Sequence, residues 1–143
     1  MFRQIVRIVA AAAIAGGVLS ACASSEPTLY QRLGGTQGIA AVMDDFVDNV
    51  RADPMIGKRF AGSDIPHTKQ MLTELICQSS GGPCKYTGRS MKEIHRGMAI
   101  RDDEFNAMVG DMNKTLDKFR LPQRERGEVL ALLGSLKGDI VGQ

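Results

Sequence analysis

Only two histidines occur in the 143 residues, His67 and His95. The run Gly81-Gly82-Pro83-Cys84-Lys85-Tyr86-Thr87-Gly88 is followed by Met91-Lys92-Glu93-Ile94-His95, which sets His95 on a short helix after a glycine-rich turn, among mostly apolar neighbours. A neutral imidazole in that setting can hold a metal from one side, with its second nitrogen oriented by a carbonyl. The other residues able to do chemistry are three cysteines, Cys22, Cys77 and Cys84. No Cys-x-x-Cys-His segment is present.

The elements that position His95 lie beyond residue 21. Residues 1–21 have the plan of a secretory signal: Arg3 and Arg7, then an apolar run from Ile8 to Leu19 that is short for a membrane span. The run ends Leu19-Ser20-Ala21-Cys22, which resembles the bacterial lipoprotein signal. The resemblance implies lipidation of Cys22 and an anchor facing the periplasm, and Ala23 in place of aspartate points to the outer membrane. Residues 22–28 then form a tether and 29–143 one small domain. Arg3 and Arg7 account for the whole formal charge of +2, so the remainder is balanced and offers no electrostatic basis for binding nucleic acid. An exported chain enters an oxidising compartment, where cysteines can pair.

The hydrophobic pattern is helical throughout and predicts an all-α domain. Ile39, Val42, Met43, Phe46, Val47 and Val50 form one stripe, bounded by Gly34-Gly35 and by Asp53-Pro54. A short turn from Pro54 to Arg59 leads to Phe60. A second helix is expected from Ile65 or Pro66 to about Cys77, and the histidine helix from about Ser90 to Gly97. A third long helix follows an N-cap at Asp102, with Phe105, Met108, Met112, Leu116 and Phe119 as its stripe. The last spans about Gln123 to Leu136. No strand pattern is evident.

In order and spacing, several segments resemble the group 1 truncated haemoglobins: Leu29-Tyr30-Gln31-Arg32-Leu33-Gly34-Gly35, Asp45-Phe46 through Ala52-Asp53-Pro54, Phe60-Ala61-Gly62, Gly81-Gly82-Pro83, Tyr86-Thr87-Gly88, and Met91-Lys92 through His95, Gly97, Ile100 and Phe105. The resemblance implies a two-on-two helical sandwich around one non-covalent haem b, with His95 as the proximal iron ligand and a diatomic gas (oxygen, nitric oxide or carbon monoxide) as the bound species. On the distal side it implies Phe46, Val47, Phe60, Thr68, Leu72 and Ile76. On the proximal side Met91, Ile94, Met98, Ile100, Phe105, Met108 and Met112 would line or support the pocket, the methionines as filler rather than axial ligands. Tyr86, with Lys69, Arg89 and Lys92, is a candidate partner of the haem propionates. A monomer or small oligomer is expected, served by an unidentified electron donor.

The chain departs from the family where a gas would sit. Relatives usually carry tyrosine where Val47 stands, and often glutamine or a similar donor where Leu72 stands. Bound oxygen gains roughly 1.5–3 kcal/mol from a hydrogen-bond donor where charge is involved, so an apolar pocket predicts weak oxygen binding. Thr68 is the one distal donor in view. His67 lies about 100° round the helix from Thr68 and is expected at the rim or in solvent rather than on the iron. Cys77 and Cys84 bracket the turn between the two helices that face the haem, and a disulfide there would clip them together. Two enzymatic alternatives, nitric oxide dioxygenation and peroxidase-like turnover, need an oxygen complex that survives. A further alternative is a haem-free lipoprotein that uses the globin fold to bind a partner.

Overall fold

A computed structural model describes residues 26–143. The expected signal peptide and the lipidated Cys22 lie outside these residues, as does most of the tether. The order is α1 (Leu29–Arg32), α2 (Gly35–Ala52), a 3-10 turn (Gly57–Phe60), α3 (Ile65–Ser79), α4 (Met91–His95), α5 (Asp102–Lys118), α6 (Gln123–Leu136) and a last 3-10 turn (Lys137–Asp139).

Each boundary has a local cause. Thr28 and Gln31 form a reciprocal capping box that starts α1, a four-residue helix absent from the sequence-based expectation. Gly34 (φ 86°) and Gly35 (φ 69°) then adopt left-handed backbone, the bend that separates α1 from α2. Asp64 caps α3 by accepting the His67 amide at 3.0 Å. The predicted N-cap at Asp102 is corrected: Arg101 is the cap and Asp102 the first helical residue. The reason is that Glu104 reaches back and accepts the Arg101 amide at 3.0 Å, so the acidic partner is three residues into the helix.

α2 is the hub, packed along α3 on one side and α5 on the other, while α6 packs on α5 and α1. All six residues of its predicted stripe are buried and meet Ile76, Met112, Leu116, Val129 and Leu133 in one core. Two helix pairs, α2–α3 and α5–α6, result. The α2–α5 contact also has a polar pin: Asp45 accepts from Thr115 at 2.9 Å and from Asn49 at 3.1 Å, and pairs with Lys118. Burial raises the Asp45 pKa, but Lys118, Thr115 and Asn49 together outweigh it and hold the carboxyl below its ordinary value. Among the described residues the only extended pairing is a parallel bridge between Ile100 and Val141. No described helix is long and apolar enough to cross a membrane.

Cys77 and Cys84 form a disulfide with a Cα–Cα distance of 5.7 Å. Gly82 inside that loop cannot be replaced freely: a β-carbon there would lie 2.5 Å from the Tyr30 ring and 2.7 Å from the Cys77 sulfur. A loop of this size contributes about 2–3 kcal/mol in the chain-entropy account. Replacing both cysteines by serine is therefore expected to lower the thermal midpoint by on the order of 10 °C. An unchanged melting curve would contradict that role.

Candidate functional site

The helix that carries His95, α4, has five residues, far fewer than an isolated helix needs to persist. Its N-terminus is fixed by a second capping box. Ser90 accepts the Glu93 amide at 3.3 Å, and Glu93 accepts the Ser90 amide at 3.0 Å. Those Ser90 hydrogen bonds, side chain first and then backbone, hold the Glu93 carboxyl below its ordinary range.

His95 is the last helical residue, half-buried, and its Nδ1 lies 2.7 Å from the Met91 carbonyl oxygen. A carbonyl can only accept, so Nδ1 carries the proton and the Nε2 lone pair is left for a ligand. Met91, Ile94, Met98, Ile100 and Met108 are all half-buried, while Phe105 and Met112 are buried. Among the described residues no group of three His, Cys, Asp or Glu side chains converges. A metal held by His95 must therefore bring its other ligands with it, which is what a porphyrin does.

The residues expected on the distal side come from three elements. Phe46 and Val47 of α2 are buried in the core, as is Ile76 of α3; Phe60 and Leu72 are half-buried and pack against that core. Thr68 is half-buried, but its hydroxyl donates to the Asp64 carbonyl at 2.9 Å. The one hydroxyl proton on this side is thus committed to the helix's own cap. His67 is exposed.

Two propionate candidates are engaged elsewhere. Lys69 pairs with Asp48 at 3.1 Å and Asp44 at 3.7 Å. With Thr36, Ala40 and Thr73, Lys69 and Asp44 help line an open groove of about 590 Å³ between α2 and α3. The Tyr86 hydroxyl donates to the Arg89 carbonyl at 2.7 Å, and its amide donates to Gln78 at 2.7 Å. Tyr86 thereby braces the turn that precedes α4, and burial raises its phenol pKa. Arg89 and Lys92 are exposed.

Arg59 and Glu104 have no place in the sequence-based site. Arg59 forms a double hydrogen bond to Glu104, Nε to Oε1 and Nη2 to Oε2, both at 2.9 Å, and its Nη1 donates to the Met98 carbonyl at 2.8 Å. Glu104 is only 4% exposed, and its carboxyl is held below its ordinary value first by the Arg101 amide and, against burial, by Arg59. The one sequence signal was a glutamate three residues after a capping position and beside the apolar Phe105; nothing local pointed from Arg59 to it.

A family model for bacterial-like globins matches residues 28–141, so the chain belongs to the bacterial-like globin family. Its relatives there are group 1 truncated hemoglobins, as the sequence resemblance implied. One from Synechocystis sp. is 30% identical over 122 residues, covering 81% of this chain and 98% of that protein. Another, from Mycolicibacterium paratuberculosis, is 28% identical over 124 residues, covering 86% and 91%. The crystal structure of truncated hemoglobin from Tetrahymena pyriformis in its Fe(III) form matches with a TM-score of 0.78 at 26% identity, covering 82% of this chain and 100% of that one. The two helix pairs are those of the two-on-two globin fold.

Proposed function

We propose that the chain holds one non-covalent haem b through His95 and binds a diatomic gas on the opposite face. The observation that carries this is the His95 ring: its tautomer is set by the Met91 carbonyl, which leaves the Nε2 lone pair of a half-buried imidazole for a ligand. When bound, haem supplies an iron with one coordination position open to oxygen, nitric oxide or carbon monoxide. The protein's own part is to orient the imidazole, to exclude water with Leu72, Ile76, Phe46 and Phe60, and to withhold a distal donor. Val47 and Leu72 carry no polar hydrogen, and the Thr68 hydroxyl is already engaged. Such a site favours carbon monoxide and nitric oxide, which depend less on a donor, over oxygen. The same lack argues against activities that need a long-lived oxygen complex. Absorption spectra of purified protein titrated with haem test the reading: a Soret band that shifts on reduction and again with carbon monoxide is expected, and its absence would refute haem binding.

We also infer, from Leu19-Ser20-Ala21-Cys22 alone, that this globin is lipid-anchored in the cell envelope. Cys22→Ser is expected to move the protein from the membrane to the soluble fraction of the host; equal partitioning of both forms would exclude the anchor.

A further inference from the structure

Residues 98–100, between His95 and α5, are held mainly by residues from elsewhere in the chain. Gly97 (φ 78°) and Ala99 (φ 48°) both have left-handed backbone, and for alanine that conformation is unfavourable unless its surroundings enforce it. Within residues 97–100 the one local bond is from the Met98 amide to the His95 carbonyl at 3.0 Å. The rest are long-range. Arg59 Nη1 donates to the Met98 carbonyl at 2.8 Å. The Ala99 amide donates to the Gln143 carbonyl at 2.9 Å, and the Gly142 amide donates to the Ile100 carbonyl at 2.9 Å. Arg59 and Lys137 also fix the start of α5, through Glu104 and through Asp102 at 2.6 Å.

We propose that Arg59 and the segment Val141–Gln143 are positioning elements for the His95 imidazole, clamping residues 98–100 so that a five-residue helix presents its ring in one orientation. The inference rests on the haem reading above. It follows from a mismatch of scale: α4 is too short to hold a side chain rigidly by itself, its N-terminal side is set by Ser90 and Glu93, and beyond the Met98–His95 turn its C-terminal side leads directly into this clamp. Arg59 precedes Phe60 in the same 3-10 turn, so one element touches the distal face with Phe60 and the proximal segment with Arg59.

The test uses full-length haem-loaded protein and two variants that act on different bonds. Arg59→Lys keeps the charge beside Glu104, but one ammonium cannot serve both carboxylate oxygens and the Met98 carbonyl. Deletion of residues 141–143 leaves the Arg59–Glu104 pair intact. Each is expected to shift and broaden the iron–histidine stretching band of the ferrous unliganded protein in resonance Raman spectra. Each should also speed haem transfer to apomyoglobin by roughly tenfold, as loss of a partner that orients a ligand does. Arg124→Met, which breaks the ion pairs with Glu26 and Glu128, is expected to leave both unchanged. Amide exchange at Ala99, measured without haem, should quicken in the deletion. A wild-type band position, width and transfer rate in both folded variants would overturn the proposal, even if their melting points fell. A wild-type protein with no Soret band would instead overturn the haem reading.

Discussion

His95→Gly is expected to lose tight haem binding, and imidazole added to the solution is expected to restore it. The argument starts from the ring's hydrogen bonding. Nδ1 is engaged with the Met91 carbonyl at 2.7 Å, so the side chain has one lone pair to offer, on Nε2. No cluster of other metal-ligating side chains is present among the described residues to take over. Removing an outer partner of a metal ligand typically weakens binding roughly 10–100-fold, and removing the ligand itself should exceed that. Glycine leaves room for free imidazole and costs at most about 1 kcal/mol at the end of a short helix, so loss of fold and loss of ligation can be told apart. Titration with haem, followed by the Soret band with and without imidazole, reads the outcome. Wild-type affinity in His95→Gly would show that iron is held elsewhere. His67→Ala is the companion measurement: its exposed position predicts an unchanged ferric spectrum.

What was legible in the sequence was what depends on near neighbours. The α2 stripe from Ile39 to Val50 buries completely, because a 3.6-residue period against one core leaves little freedom in which face turns inward. The Gly34-Gly35 break and the span of α6 were legible for the same local reason. The α5 cap was misplaced because two residue types competed for the role: Asp102 suits an N-cap by propensity, but Glu104 satisfies the Arg101 amide from inside the helix. α1 is only four residues and carries no periodicity to read. The clamp on residues 98–100 could not be read at all, since Arg59 and Gly142 each sit about forty residues from their partners and neither makes a motif. Thr68 is the instructive case. Its bond to the carbonyl four residues earlier is a local habit of threonine in a helix, yet the sequence-based reading counted its hydroxyl as free.

That single bond sharpens the expectation for oxygen. With Thr68 committed to Asp64 and with Val47 and Leu72 aliphatic, no described distal side chain offers a free proton. Wild-type ferrous protein is expected to release oxygen fast, and Leu72→Gln to slow release about ten- to a hundredfold, the worth of one charge-assisted hydrogen bond of roughly 1.5–3 kcal/mol. Leu72 is the better site for the change because it is half-buried, so the amide can be accommodated. Val47→Tyr should act in the same direction, but Val47 is 1% exposed, and a larger ring there adds an overpacking cost of about 1–3 kcal/mol. Carbon monoxide release should change much less in both variants, since that ligand draws little on a donor. Thr68→Val is the discriminating control. If its hydroxyl stays on the Asp64 carbonyl, removing it leaves the oxygen off-rate near wild type; if the hydroxyl turns to the gas instead, the off-rate rises. Stopped-flow replacement of oxygen by carbon monoxide distinguishes these, and a slow wild-type off-rate that Thr68→Val accelerates would refute the apolar pocket and return Thr68 to the role of distal donor.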